Sequence, residues 1–393
     1  MALSLYLLVI LLSLVAIAIN TSATVHLRLI HRHSIFPRYN DSKDESIQEP
    51  MFVAEDAILF LVNISIGEPP SSHLLAMDTG SNLVWVDCCF GAPYAFNPDR
   101  SITYAKIPSS SSQCSSFTPG TVQEGPDCRF STEYEDGTSS YGSIARDTFN
   151  LHTSNGGLQK VPDVVFGCAA NTSTKDSLLG GVLGVMARSP YHLVARLGNR
   201  FSYCIGDVWD LGYAHNRLVL GEGAVIQGDS TPMRMVDGYY SVTLEGISVG
   251  EKALSIKGDE FEFNVVVDSG STVTELRESG YEALVAEVDG LIGGSLARFQ
   301  DEEGSVCYMG EMERDLVGFP VVTLHLGEGA HIDMKVGALF EMRHGGVFCL
   351  AVVKAEGVNI IGVMAQQYYN VGFDFDQMRI SFQKMNCELI EDE

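Results

Sequence analysis

The chain has 393 residues, of which 46% are hydrophobic and 19% charged, and its formal net charge at pH 7 is −25. This length and apolar content allow two buried cores of ordinary domain size and exclude a disordered tail protein. The acidic balance argues against a nucleic acid partner, because phosphate binding needs clusters of Lys and Arg, and none is visible. Two explanations of the acidity stay open: solubility, or adaptation to acid, in which protonated carboxylates repel one another less.

The N-terminal stretch predicts export. Residues 2–19 are an apolar run without charge, and the small residues Asn20-Thr21-Ser22-Ala23 follow. This pattern predicts a signal peptide over residues 1–23, and therefore a secreted or vacuolar protein without stable membrane association after cleavage. An uncleaved signal anchor is the alternative, since about 18 apolar residues can span a bilayer and no Lys or Arg precedes the run.

The next segment, residues 24–50, is polar. It carries His26, Arg28, His31, Arg32, His33 and Arg38. A basic segment can cover an acidic groove by charge complementarity. A flexible linker is the alternative interpretation of the same composition.

Beyond Ala57 the chain consists of short apolar runs separated by Gly, Pro, Ser and Asp, which predicts an all-β protein. Helical periodicity is rare, and two helices are predicted, at Ser279–Leu291 and Pro190–Leu197. The stretch Gln227–Pro232 breaks the strand pattern. We therefore place an N-terminal β lobe at 51–228 and a C-terminal β lobe at 229–393.

Two acids occupy the same local pattern. Asp78 follows an apolar run and precedes the turn Thr79–Ser81, and Asp268 follows an apolar run and precedes the turn Ser269–Ser271. A carboxylate at the end of a buried strand must be hydrogen-bonded, or its burial is costly. One such tripeptide would be weak evidence, but two copies behind apolar strands are strong.

A second internal echo accompanies the first. Gly181–Met186 and Asn359–Met364 follow the two acids at similar distances along the chain. Self-similarity on this scale indicates duplicated lobes. Each lobe then contributes one carboxylate, and only a dimer-like arrangement brings the two together.

These motifs resemble those of the pepsin-like aspartic proteases, and more narrowly of their plant nepenthesin-like branch. The resemblance extends from about Phe60 to Cys387 and implies a bilobal acid-protease fold with a few short helices. The runs that carry it are Asn63–Pro70, Asp78–Ser81, Phe166–Cys168, Phe201–Cys204, Asp268–Ser271 and Ile360–Gly362.

The resemblance implies that Asp78 and Asp268 share one proton and activate a water molecule, so that no cofactor and no metal is needed. Glycines after the acids allow a tight turn, and the hydroxyls can hydrogen-bond the carboxylates or lock the loops together. The supporting residues are Thr79, Gly80, Ser81, Ser269, Gly270 and Ser271. In this family a basic N-terminal segment is an activation segment, so residues 24–50 are predicted to be propeptide-like.

A flap over the substrate is predicted from the stretch 130–138. Tyr134 stands at the family's flap tyrosine position, and Gly137 and Thr138 follow in a hairpin turn. Trp85 resembles the aromatic residue that supports this tyrosine. Glu135 stands where the family usually has Gly, which departs from the pattern at the tip of the flap.

Nine cysteines in an exported chain predict disulfides, and an odd number leaves at least one thiol unpaired. The resemblance implies the pairs Cys307–Cys349 and Cys168–Cys387, and nearness in the chain suggests Cys114–Cys128. Glycosylation sequons stand at Asn40, Asn63 and Asn171. Asn171, in a polar stretch predicted to be a loop, is the best acceptor, whereas Asn63 falls in a predicted strand.

The sequence therefore predicts a secreted, monomeric aspartic endopeptidase that cleaves polypeptide substrates at acid pH, is made as a zymogen and is glycosylated. The alternative is a catalytically silent inhibitor or binding protein on the same fold, similar to the plant xylanase inhibitors, because fold does not settle function. Both acids, both glycines and Tyr134 are present, which favours the enzyme.

Overall fold

The protein is described from a computed structural model. The described residues are 24–35, 58–89, 95–115, 121–122, 125–134, 137–153, 157–173, 179–186, 189–236, 239–256, 264–302 and 304–390. The predicted signal peptide, most of the predicted activation segment, Asn40 and Glu135 lie outside them. Within the described residues, no helix combines the length and apolar character needed to cross a membrane.

The described chain is predominantly β-structure. The strands of its first half are β1 Val25–His31, β2 Phe60–Ile66, β3 Ser71–Asp78, β4 Val84–Asp87, β5 Ala105–Lys106, β6 Thr121–Val122, β7 Arg129–Glu133, β8 Ser139–His152, β9 Leu158–Thr172, β10 Gly181–Gly184, β11 Arg200–Ile205 and β12 Arg217–Leu220. Those of its second half are β13 Asp229–Pro232, β14 Arg234–Val236, β15 Tyr239–Val249, β16 Lys252–Ala253, β17 Asn264–Val267, β18 Thr274–Leu276, β19 Arg298–Gln300, β20 Val306–Met309, β21 Val322–Leu326, β22 His331–Met334, β23 Phe340–Arg343, β24 Val347–Leu350, β25 Val352–Lys354, β26 Asn359–Ile361, β27 Tyr369–Asp374 and β28 Arg379–Lys384.

Helices are short, as predicted. They are α1 Arg32–Ile35, α2 Ser112–Ser115, α3 Leu193–Arg196, α4 Glu278–Ile292, α5 Met312–Asp315 and α6 Val336–Leu339. The prediction of a helix at Ser279–Leu291 is confirmed by α4, which buries Leu284 and Val288. The second predicted helix is correct only over the single turn of α3, because Ser189 to His192 form the turn that leads into it.

The strands form one 15-stranded sheet, one 9-stranded sheet and one 4-stranded sheet. The largest sheet joins strands from both ends of the chain, since β11 pairs with β12 on one side and with β27 on the other. Residues Asp229–Pro232, predicted to break the strand pattern, form β13 and pair with β28. The lobe boundary near residue 228 stays a prediction.

The same three-strand arrangement occurs behind each acid. Behind Asp78, β10 runs parallel to β3 and antiparallel to β4. Behind Asp268, β26 runs parallel to β17 and antiparallel to β18. The two segments that form β10 and β26 are the second internal echo of the sequence. The repeated arrangement explains the echo, because a central strand buried on both faces requires the same apolar pattern.

The described part of the predicted activation segment includes β1, which lies inside the largest sheet. It pairs with β12 through Val25–Arg28 and with β2 through Leu29–His31. Its side chains alternate between buried and more exposed positions. Residues 25–31 are therefore an integral strand of this structure.

Four disulfides are present, and two of the three predicted pairs are confirmed, namely Cys114–Cys128 and Cys307–Cys349. The predicted Cys168–Cys387 pair is wrong. β4 and β9 pair in parallel with Val86 opposite Cys168, and this places Cys88, just beyond β4, at a Cα–Cα distance of 5.5 Å from Cys168.

The remaining bridge joins Cys204 to Cys387, whose Cα atoms are 5.6 Å apart. In both observed bridges, Cys88–Cys168 and Cys204–Cys387, the Cα–Cα distance is within the usual range for a disulfide. Cys89 is the free thiol, which confirms that at least one cysteine is unpaired.

One of the two described sequons lies in a strand although it was predicted to lie in a loop. Asn171 was predicted in a loop but lies near the end of β9, opposite Tyr141 of β8, where it is exposed. Asn63 lies in β2, as predicted, and its side-chain oxygen accepts a hydrogen bond from the Ser72 hydroxyl. That contact is consistent with a structural role for Asn63.

Candidate active site

Asp78 and Asp268 meet although they come from different sheets. Asp78 is the last residue of β3, and Asp268 directly follows β17. A methyl group added at Gly80 would lie 3.1 Å from both carboxylate oxygens of Asp268 and 3.1 Å from Oδ1 of Asp78. One at Gly270 would lie 2.8 Å from Oδ1 of Asp78 and 3.2 Å from Oδ1 of Asp268. Each glycine therefore faces both acids, and a side chain at either position would force the carboxyls apart.

Reciprocal hydrogen bonds lock the two loops together. The Thr79 N–H donates to Oγ of Ser269 (3.1 Å), and the Ser269 N–H donates to Oγ1 of Thr79 (2.8 Å). Each hydroxyl then donates across to the other strand, Thr79 to the Val267 carbonyl (2.8 Å) and Ser269 to the Met77 carbonyl (3.1 Å). Both side chains are fully buried, where satisfied hydrogen bonds are strong and unsatisfied ones costly. The geometry agrees with the locking role predicted for this pair.

Each acid is also held from its own loop. The Gly80 N–H donates to Oδ1 of Asp78 at 2.7 Å, and the Gly270 N–H donates to Oδ1 of Asp268 at 2.8 Å. The Ser271 hydroxyl donates to Oδ2 of Asp268 at 2.7 Å, as predicted. The carboxylate planes are thereby fixed by donors on the protein itself.

The pKa of Asp78 is raised well above its ordinary value. Burial is the largest cause, and the charge of Asp268 is the second. Hydrogen bonds from the main chain of Gly80 and Ser81 act in the opposite direction. Two carboxylates this close cannot both ionise readily, and the dyad of aspartic proteases is the standard example of this effect. The pair therefore keeps one proton over a pH range in which an isolated carboxyl would lose it.

Ser81 is placed differently from its counterpart Ser271. Its main chain donates to Asp78, whereas its hydroxyl hydrogen-bonds the oxygen of Tyr134. Nε1 of Trp85 also donates to that oxygen, at 2.7 Å. The predicted contact of Trp85 with Tyr134 is thus present. The Ser81 hydroxyl was expected to bond the carboxylate of its own loop, and it bonds Tyr134 instead.

The predicted flap is a hairpin between β7 and β8. The Tyr134 N–H donates to the Thr138 carbonyl at 2.8 Å, and the Gly137 N–H donates to the Tyr134 carbonyl at 2.9 Å. Gly137 has φ = +77°, which suits glycine in a tight turn. Burial raises the pKa of Tyr134, and the charge of Asp78 raises it further, so the hydroxyl stays protonated beside the dyad.

One candidate cluster of metal ligands occurs in the described residues, and it includes neither Asp78 nor Asp268. It consists of Asp301, Cys307 and Cys349. The two cysteines form a disulfide, so their sulfurs are not thiolate ligands.

Three buried polar residues were not among the predicted site residues: His192, Tyr203 and Gln366. Each stands in a mostly apolar stretch, and that contrast was the available signal. His192 is fully buried at the start of α3. Its Nε2 bonds the Gly184 carbonyl at 2.9 Å, and its Nδ1 accepts the Val194 N–H at 3.2 Å. Because Nδ1 accepts, the ring is neutral in this arrangement.

We expect the buried His192 to lower the free energy of unfolding in acid. Burial lowers the pKa of His192 to about 4 from an ordinary value of 6.5. Below about pH 6.5 the histidine of the unfolded chain takes up a proton, whereas the buried ring of the folded protein stays neutral until about pH 4. The free energy of unfolding should therefore fall by about 3 kcal/mol as the pH falls from 6.5 to 4. We expect His192→Ser, which retains an N-cap oxygen, to remove most of this loss.

The measurement is the free energy of unfolding of wild type and His192→Ser from pH 7 to pH 4. Only the slope matters, because removing the ring also leaves a cavity whose cost is the same at every pH. His152→Ser, which changes an exposed histidine at the end of β8, is the control. Equal slopes for wild type and His192→Ser would contradict the prediction.

Comparison with known proteins identifies the family. Residues 60–222 match the family model described as xylanase inhibitor N-terminal, and residues 239–384 match the one described as xylanase inhibitor C-terminal. Over 388 residues the chain is 31% identical to the Arabidopsis thaliana protein named Aspartyl protease UND, with 93% of this chain and 94% of that protein covered. The chain belongs to the plant pepsin-like aspartic protease family.

A second plant aspartic proteinase and a solved structure are also similar to this chain. Nepenthesin-2, an aspartic proteinase of Nepenthes gracilis, is 27% identical over 362 residues, which cover 87% of this chain and 80% of that protein. The crystal structure of Basic 7S globulin from soybean has a TM-score of 0.70 at 18% identity and covers 92% of this chain and 96% of that one. This likeness shows the fold alone, an all-β pepsin-like fold as the sequence predicted.

Proposed function

We propose that this chain is an aspartic endopeptidase that hydrolyses polypeptides by activating water between Asp78 and Asp268. The observation that carries the proposal is the reciprocal lock between Thr79 and Ser269, which holds the two acids face to face. A protein that only binds a partner has no need of two carboxyls sharing a proton. The names of its relatives as aspartic proteases support the same conclusion.

The residues present suit the chemistry of peptide hydrolysis. The ionised member of the dyad takes a proton from water as the water attacks the scissile carbonyl, and the protonated member donates to the carbonyl oxygen. Tyr134 would lie over the bound peptide from the flap and reduce access of bulk water. An extended substrate would place alternate side chains into pockets along the groove.

The pH dependence follows from the raised pKa of Asp78. Activity requires one proton on the pair, so we expect it in acid and expect it to fall as pH rises and the pair becomes doubly ionised. The depressed pKa of His192 limits stability at the acid end. The pH range of activity is therefore limited at its upper end by ionisation of the dyad and at its lower end by the loss of folding stability.

Export, a zymogen form, glycosylation at Asn171 and a monomeric state remain part of this proposal. Removal of residues 24–50 would withdraw β1 and leave β2 and β12 without the partner they have here. Unpaired strand edges invite association with other chains. An activated form thus requires another segment of the chain to take the place of β1.

The test is cleavage of a denatured protein substrate by the purified chain, with and without prior incubation in acid, at pH 3, 5 and 7. We expect cleavage at acid pH that a pepstatin-type transition-state mimic blocks and that chelators leave unchanged. No cleavage at any pH, before or after acid treatment, would overturn the proposal.

The alternative function is an inhibitor or binding protein, which the names of the two matching family models favour. It predicts that the purified chain inhibits a xylanase and that substitution of Asp78 leaves this inhibition unchanged. The enzyme proposal predicts no inhibition.

A further inference from the structure

A buried pair of polar side chains lies beneath the dyad. Tyr203, in β11, is 1% exposed, and Gln366, at the end of the 3-10 helix Val363–Gln366, is 0% exposed. The Tyr203 hydroxyl donates to Oε1 of Gln366. Nε2 of Gln366 donates to the main-chain carbonyls of Asp268 (3.1 Å) and Ile361 (2.7 Å). Every polar atom of the amide thus has a partner.

The peptide group between Asp268 and Ser269 is held at both ends. Its carbonyl accepts from Gln366, and its N–H donates to Oγ1 of Thr79 at 2.8 Å. Rotation of this peptide plane would break the lock between the loops and tilt the carboxyl of Asp268. Gln366 therefore controls an atom only a few bonds away from the reacting group.

The equivalent peptide in the first lobe is held by a different donor. The carbonyl of Asp78 accepts the main-chain N–H of Val185 at 3.1 Å, and the N–H of Thr79 donates to Oγ of Ser269 at 3.1 Å. In the second lobe the N–H of Val363 donates instead to the Ser271 carbonyl, at 2.8 Å. The carbonyl of the catalytic Asp thus accepts a hydrogen bond from a side-chain amide in the second lobe and from a main-chain N–H in the first lobe.

Tyr203 connects this support to the first loop. Its oxygen lies beside the Thr79 hydroxyl, which donates to the Val267 carbonyl, while its own proton goes to Gln366. Burial raises the pKa of Tyr203, and the charge of Asp268 adds to the effect, so the hydroxyl remains a neutral donor. One buried hydroxyl therefore contacts groups attached to both catalytic loops.

We propose that Tyr203 and Gln366 are positioning residues that hold the peptide after Asp268 and thereby set the relative orientation of the two carboxyls. The inference rests on the proposed function. The first lobe needs no such pair, since its main chain supplies the donor. The second lobe depends on a side chain, and that dependence can be tested by substitution.

The test uses Gln366→Met, Tyr203→Phe and the double variant, with kcat, KM, the pH profile and the free energy of unfolding measured for each. We expect each single variant to lower kcat by about 10- to 100-fold, because small displacements of reacting groups have effects of this size. KM should change little, and the basic limb of the pH profile should move as the carboxyls reorient. Each single variant should also lose stability, because it leaves a buried polar partner unsatisfied.

The double variant separates positioning from stability. The double variant removes both partners of the Tyr203–Gln366 hydrogen bond, although the Asp268 carbonyl still lacks its donor. It should therefore be more stable than Gln366→Met alone, which leaves the Tyr203 hydroxyl unsatisfied, without regaining kcat. Gln366→Glu should recover most of the kcat lost in Gln366→Met when assayed in acid, because a neutral carboxylic acid keeps one O–H donor for the Asp268 carbonyl. The matched control is Gln367→Met, whose amide bonds the carbonyls of Met364 and Gly337 instead.

A double variant in which kcat returns together with stability would overturn the inference, and so would single variants with wild-type kcat and an unmoved pH profile. If the single variants do not fold, the double variant decides alone by comparison with wild type. Wild-type protein that cleaves nothing would refute the proposed function, and the positioning role with it, before any variant is made. An active wild type with an unaffected double variant refutes only the positioning role.

Discussion

Asp78→Asn should abolish peptide hydrolysis and, at the same time, make the protein more stable at neutral pH. Loss of one member of an acid–base pair typically costs about 10²- to 10⁴-fold in rate. The gain in stability arises because Asn removes a buried carboxyl that Asp268 and burial both disfavour in its charged form. Asp78 is thus essential for the reaction, although it destabilises the folded protein at neutral pH.

The sign of the stability effect follows from linkage. A carboxyl with a raised folded pKa contributes stability that is present below its unfolded value of about 3.8 and is lost as pH rises through the folded value. The free energy of unfolding of Asp78→Asn minus that of wild type should therefore grow from pH 4 to pH 7. Denaturant unfolding at both pH values measures it, and Asp163→Asn, in an exposed ion pair with Arg146, is the control.

Either of two results would contradict this prediction. Cleavage that persists in Asp78→Asn would show that the dyad does not perform the reaction. A stability difference that is the same at pH 4 and pH 7 would show that Asp78 is not held in its protonated form.

Removing the Cys204–Cys387 bridge should have the largest effect on stability. The bridge closes a separation of 183 residues, and both cysteines are fully buried. In the chain-entropy model, cross-linking so long a loop stabilises the fold by about 5 kcal/mol, against about 3 kcal/mol for a loop of some 15 residues. We therefore expect the Cys204→Ala, Cys387→Ala double variant to unfold well before wild type.

The matched control is the double variant Cys114→Ala, Cys128→Ala, which opens a separation of only 14 residues between equally buried cysteines. The free energy of unfolding of both double variants should be measured by denaturant titration at the same pH. A smaller loss for the Cys204–Cys387 variant than for the control would contradict the prediction.

The two acids could be predicted from the sequence because they stand in a local pattern that occurs twice, whereas the lock between Thr79 and Ser269 was expected from the family resemblance. A carboxylate between an apolar strand and a Thr-Gly or Ser-Gly turn has few alternative uses. The helix α4 was predictable for a similar reason, since its buried residues recur at helical spacing over four turns. These features need no knowledge of which strands are neighbours.

Features that depend on strand pairing were not predictable in the same way. The partner of Cys168 is set by the parallel pairing of β4 with β9, which no local pattern specifies. Tyr203 and Gln366 are far apart in the chain and meet only because β11 lies beside β27. The role of the Ser81 hydroxyl depended on where the flap tyrosine lies, and that contact is also long-range.

The pairing of β11 with β27 and of β13 with β28 also has a consequence for biosynthesis. The largest sheet cannot be completed until the last strands have left the ribosome, so the edge of β11 that pairs with β27 and the edge of β13 that pairs with β28 stay exposed until then. Sheets with such long-range pairing fold slowly and are prone to aggregate before they close. Nascent copies of this protein should accordingly depend on chaperones, and truncation even a short way before β28 should yield insoluble material.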